Sequence, residues 1–167
     1  MALLHEISHS YGIDGLSAER LLKRVLLSAS RHLTDTDLTA FVEFSEKGCT
    51  IAELDFFCLV EAYPLLTHRL CTRPFSWSYG RMKEELAIIQ PDIRLLPDSA
   101  VSEFSTLARC GIRSVYCWPI SSTAHPVTQM LVFAYRKPTL IGPQKLAAHK
   151  VLAETWKESL MGIGAPA

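Results

Sequence analysis

"LTAFVEFSEKGCTIAELDFF", residues 38–57, is the stretch on which the fold turns. Leu38, Ala40, Val42 and Phe44 alternate with Thr39, Phe41 and Glu43, a period of two that puts one row of side chains on each face of a strand. Glu46, Lys47 and Gly48 supply a turn, and alternation resumes from Cys49 to Phe56. Two alternating runs around a short polar turn predict a β-hairpin. A second pair of strands is expected further on, from Ile112 to Ile120 and from Val127 to Tyr135, joined by a polar turn.

Around these hairpins the period changes to that of helices. "LSAERLLKRVLLSASRHL" offers Ser17 as N-cap, Glu19 in the first turn, and a stripe of Leu22, Val25, Leu26, Ala29 and Leu33 expected to face a core. "CLVEAYPLLTHRL" reads as helical, broken or started at Pro64, and "WSYGRMKEELAII" as a further short helix, followed by a loop, "QPDIRLLP", between two prolines. "DSAVSEFSTLARCG" has a cap in Asp98 or Ser99, a stripe of Val101, Phe104, Leu107 and Ala108, and Gly111 as its stop. A last long helix starts at Pro143, with Leu146, Val151 and Leu160 among its apolar positions. Hairpins with helices set between and around them predict an α+β fold, an α/β/α sandwich on a central antiparallel sheet, resembling GAF and PAS sensory domains. The length suits a single domain over residues 1–167.

Composition narrows the function classes. Lys+Arg and Asp+Glu both number 17, so no overall field steers the chain toward nucleic acid. The five cysteines, Cys49, Cys58, Cys71, Cys110 and Cys117, are odd in number and contain no C-x-x-C pair, which predicts reduced thiols in a cytoplasmic protein. No apolar run approaches a membrane span.

Catalytic chemistry finds little support. His5, Glu6 and His9 fit the H-E-x-x-H pattern in which two histidines bind zinc and the glutamate acts as base. The longer form of that motif needs a ligand where Gly15 stands, so a zinc hydrolase is the least favoured reading. His32, His68, His125 and His149 are scattered and read as surface or hydrogen-bonded histidines. There is no nucleophile elbow, phosphate-binding loop or dinucleotide fingerprint, so the expectation is no enzyme, no metal and no cofactor. Phe75, Trp77 and Tyr79 lie together, and Tyr116 and Trp118 share a face of the strand after Gly111; these rings suit either plain packing or the wall of an apolar pocket.

"YPLLTHRLCTRPFSWS", "FSTLARCGIRSVYCWPI" and the segment from Met130 to Leu160 resemble the autoinducer-binding domain of LuxR-type quorum-sensing regulators, over the carboxyl-terminal three-fifths of the chain. The resemblance implies a cytoplasmic regulatory domain that forms a homodimer, or a heterodimer with a regulator, and encloses an acyl-homoserine lactone or other hydrophobic small molecule. It implies ligand-binding positions at Tyr63, Leu65, Leu66, Trp77, Phe104, Leu107, Ile112 and Gln129, with Trp77 packed on the lactone ring. Tyr63 stands where the family has an aspartate for the ligand amide, and Val115 where it has a second glycine. The family's DNA-binding domain follows its last helix, whereas this sequence ends "MGIGAPA", so the expectation is a domain that works through a partner without contacting DNA, or a ligand-free antagonist that forms mixed dimers. The alternative is a GAF sensor for a different small ligand.

Overall fold

The structure, a computed structural model, describes residues 18–45, 50–58, 75–109, 111–120 and 129–164. The alternation that begins at Leu38 becomes strand β1, Leu38–Phe44, paired antiparallel on one side with β2, Ile51–Cys58, and on the other with β5, Gln129–Tyr135. β5 pairs with β4, Ser114–Pro119, and β4 with the short edge strand β3, Ile88–Gln90, giving a five-stranded antiparallel sheet in the order β2-β1-β5-β4-β3. The helices are α1, Ala18–Thr34; α2, Ser76–Lys83; α3, Asp98–Arg109; and α4, Pro143–Gly164, with a 3₁₀ turn at Ile93–Leu95.

Pleating sorts the central strands onto two cores. Leu38, Ala40, Val42, Val115, Cys117, Met130, Val132 and Ala134 face α2, α3 and the 3₁₀ turn. Phe41, Tyr116, Leu131, Phe133 and Tyr135 face α1 and α4, where they meet Leu27, Ala153 and Trp156. A strand buried on both faces needs apolar residues at every position, which is why β5 reads "MLVFAY" after its first residue. The expected α/β/α sandwich is the observed architecture.

α1 is rotated from expectation: Leu22 and Leu26 of the expected stripe are half-buried, Leu26 against the second core, but its other members face outward. Leu21, Lys23, Leu27, Ser30 and Thr34 are buried, while Val25 is 48% and Leu33 70% exposed and Ala29 is exposed too. The polar members of the buried face all find partners, and that makes the orientation tolerable. Lys23 Nζ donates to Glu53 at 2.7 Å, lies 2.8 Å from Glu19, and rests 4.4 Å above the Phe41 ring. Thr39 Oγ1 donates to the Leu27 carbonyl at 2.9 Å, and Thr34 Oγ1 to that of Ser30 at 2.6 Å. Burial works against the Lys23 charge, but its hydrogen bonds to Glu19 and Glu53 outweigh it and hold its pKa above that of an ordinary lysine.

α4 likewise presents His149, Ala153 and Trp156, at spacings of four and three, to the sheet and leaves Val151 outside, 64% exposed. The Trp156 ring stacks on Phe41 with centroids 5.7 Å apart, and its Nε1 donates to Ser30 Oγ at 3.1 Å, tying α4 to α1.

The helix expected over residues 77–89 is divided. α2 stops at Lys83, Glu85 takes a left-handed φ of 55°, and Ile88–Gln90 leaves to pair with Val115–Cys117. Two consecutive isoleucines suit an extended edge strand, and the open side of β4 supplies the ladder. Inside "QPDIRLLP" the 3₁₀ turn is capped by Asp92, whose carboxylate accepts from the Arg94 backbone and guanidinium; those bonds pull its pKa down to about 2. α3 keeps its expected span, with Gly111 at φ 81° after it, but Val101 and Ala108 point to solvent and Ala100, Glu103 and Phe104 point in. Among the described residues no helix is long and apolar enough to cross a membrane.

Candidate functional site

The middle of the sheet carries small side chains on the face toward α2 and α3, and this opens a space. Ala40 on β1, Ala134 on β5 and Cys117 on β4 sit among Leu38, Val42, Val115, Met130 and Val132; Phe75, Ser78, Phe104 and Leu107 close the space from the helical side, and Ile51 and Leu54 from β2. The resulting cavity has a volume of about 60 Å³. That equals about two molecules of liquid water, where an engineered apolar cavity of about 150 Å³ takes benzene and ordinary ligand pockets span roughly 300–1,000 Å³. Its described lining is apolar apart from Ser78 and the Cys117 thiol. Burial pushes that thiol up to about 12, so it stays protonated and inert.

The helical wall is fixed by a carboxylate. Phe75 occupies the N-cap position of α2 and offers no side-chain acceptor. Glu103, buried on α3, takes over: one oxygen accepts from the Trp77 backbone N–H, and the other from the Ser78 N–H at 3.0 Å and the Ser78 hydroxyl at 2.8 Å. A negative group at a helix N-terminus satisfies free N–H groups and complements the helix dipole. It also commits the Ser78 hydroxyl, the one oxygen-bearing side chain of the described lining, to the protein itself.

Of the residues expected to bind ligand, Phe104 and Leu107 line the cavity. Trp77 lies behind Phe104, edge-on with centroids 6.0 Å apart, and Ile112 is fully buried in the same core; neither borders the cavity. Gln129 sits on the other face of the sheet, where it pairs with Glu43 and its Nε2 donates to that carboxylate at 2.7 Å. Tyr63, Leu65 and Leu66 lie outside the described residues, as do His5, Glu6, His9, His68 and His125. The aromatic cluster is split by the sheet, with Phe75, Trp77 and Tyr79 on the cavity side and Tyr116 and Trp118 against α4.

Sequence reasoning passed over Ala40, Ala134, Ser78 and Glu103. The alternation placed Ala40 in one row with Leu38, Val42 and Phe44, yet a small residue in a strand does not announce a cavity without its neighbours across the sheet. It also placed His149 among surface or hydrogen-bonded histidines. His149 is fully buried, stacked on Phe133 at 4.0 Å and edge-on to Tyr116, with neither ring nitrogen hydrogen-bonded to a described residue. Burial first, then the nearby Lys145 charge, lower its pKa to about 4. Among the described residues no group of three His, Cys, Asp or Glu side chains could hold a metal ion.

No family model matches the chain. No curated protein matches it either. Solved structures do. The GAF3 domain of Slr1393 from Synechocystis sp. PCC6803, in its photoproduct state, is 12% identical with a TM-score of 0.64, covering 86% of this chain and 94% of its own. A GAF domain/HD domain protein from Geobacter sulfurreducens is 13% identical with a TM-score of 0.59, over 84% of this chain and 90% of its own. The GAF domain of a two-component sensor histidine kinase from Bacillus halodurans is 11% identical with a TM-score of 0.57, over 84% and 94%. At such identities the likeness is one of fold, and the fold is that of GAF domains.

Proposed function

We propose that this chain is a regulatory domain of the GAF sensor kind, which takes a small apolar molecule between its sheet and α2–α3 and acts by binding, through a partner, in the cytoplasm. The observation that carries this reading is the apolar cavity at the small-residue centre of the sheet. The same lining disfavours an acyl-homoserine lactone. That ligand has a lactone and an amide to satisfy, and an amide buried without a partner costs about 1–3 kcal/mol. Here the Ser78 hydroxyl is already given to Glu103, Gln129 is on the far face, and Tyr63 replaces the expected aspartate. The solved structures described above are GAF domains, one of them from a sensor kinase, which favours the sensor reading over the quorum-sensing one.

Dimerisation belongs to the same proposal. Val25, Ala29 and Leu33 recur every four residues along the outer face of α1, an apolar stripe with no described neighbour above it, and a second copy of the chain is the occupant we assign to it.

The test is a thermal-shift titration with apolar probes of graded size, from xenon and small hydrocarbons through benzene and indole to acyl-homoserine lactones of graded chain length. A ligand at a hundred times its dissociation constant adds about 2.7 kcal/mol to stability. Stabilisation by the small apolar members, lost when the cavity is filled, supports the reading; stabilisation that grows with acyl chain length restores the quorum-sensing alternative.

A further inference from the structure

On the opposite face of the sheet, beside α4, a second space of about 250 Å³ opens between the helix and the β3–β4 edge. Its floor is apolar: Trp118, half-buried on β4, with Pro119 after it and Ala153 on α4. It exists because β3 is only three residues long and because Ala153, on the helix side, is small. Its rim is charged. Lys150, Glu154 and Lys157 follow one another at spacings of four and three, so they project from one face of α4. Glu85 stands on the loop before β3. None of these four charges is paired with another described residue.

We infer that this cleft is a binding site for a zwitterionic aromatic molecule, a free aromatic α-amino acid, with its ring on Trp118 and its carboxylate and ammonium held by the lysines and glutamates of the rim. Two positive and two negative groups around an indole match a ligand that carries one charge of each sign beside a ring. A simple anion would meet the glutamates, and a simple cation the lysines. Aromatic rings stack favourably on tryptophan, and charge-assisted hydrogen bonds fix orientation. The space is below that of a drug-sized pocket, which suits a single ring and excludes a nucleotide. This site shares no lining residue with the core cavity, so the two readings stand or fall separately.

The experiment is a calorimetric titration with L-phenylalanine, with phenylacetate and 2-phenylethylamine as ligands that each lack one charge. The rim variants Lys150→Met, Glu154→Gln and Lys157→Met lie on the helix surface and leave the core intact. Saturable binding of phenylalanine that is about tenfold weaker in a rim variant, and weaker for both single-charge ligands, is the expected result. Trp118→Leu is expected to abolish it, with circular dichroism showing that the variant folds. No saturable binding up to the solubility limit of phenylalanine overturns the inference. So does equal binding of phenylacetate, or binding that the rim variants leave unchanged and that is lost on filling the core cavity with Ala40→Val.

Discussion

One oxygen of Glu103, on α3, accepts both the hydroxyl and the backbone N–H of Ser78, on α2, at 2.8 and 3.0 Å. The helical wall of the cavity is therefore held by a carboxylate twenty-five and twenty-six residues away from the two N–H groups it caps. Glu103→Ala strands those groups in a buried setting. Glu103 accepts three hydrogen bonds, and bonds to charged groups are worth about 1.5–3 kcal/mol each, so the loss is expected at about 4.5 kcal/mol or more. That lowers the melting midpoint by roughly 9–18 °C for a chain of this size. Glu103→Gln, which keeps one acceptor, is expected to lose less; thermal melts of the two variants check the order.

Filling and emptying the cavity have opposite signatures. Ala40→Val adds bulk to the wall of an existing space, so its stability stays within about 1.5 kcal/mol of the parent while apolar ligands no longer raise the midpoint. Phe104→Ala enlarges the space and costs about 3–5 kcal/mol, part of which a benzene-sized ligand recovers. Denaturant titrations with and without ligand separate the two.

His149 makes stability depend on pH. Its imidazole has a folded pKa of about 4 against an ordinary 6.5, so the unfolded chain binds the extra proton first as pH falls. The stabilisation is fully present above pH 6.5 and is lost between there and pH 4, an effect of about 3 kcal/mol. Replacing it by phenylalanine keeps a ring against Phe133 and removes the titration, so His149→Phe is expected to flatten the stability profile in that window. Urea melts at a series of pH values measure the slope directly.

In the proposed dimer the outer stripe of α1 is the contact. Leu33→Glu places a charge in the proposed contact and is expected to give a monomer by sedimentation. Because Leu33 is 70% exposed, the fold of the single chain should change by no more than about 0.5 kcal/mol.

Lys23 tests the buried ion pair. Lys23→Met keeps the packing over Phe41 but removes the positive partner of Glu53. Asp55, whose pKa is already raised by burial and by the neighbouring Glu53, then loses an attractive charge and titrates higher still. Breaking one side of a buried pair costs about 3–5 kcal/mol. Less is expected here, since Glu53 reaches water, and acid is expected to restore part of the loss by neutralising Asp55.

By itself the sequence determined the periods. Leu38 to Phe44 alternates, β5 is apolar at nearly every position, α3 ends before a glycine, and α4 begins at a proline; these local patterns fixed the class of fold. They fixed it because the dihedral preferences of a strand or helix are set by near neighbours along the chain. Which face points inward was decided elsewhere. Val25, Ala29 and Leu33 form an apolar stripe on α1, but the helix buries Lys23 and Ser30 because Glu53 and Trp156 meet them there, residues thirty and more than a hundred positions away. The same holds for both spaces. Ala40, Ala134 and Cys117 border a space only when β1, β5 and β4 lie side by side, and half-buried Trp118 borders the second space where β3 is short and α4 passes it with an alanine. A cavity is a property of neighbours in space, and tertiary structure alone brings those neighbours together.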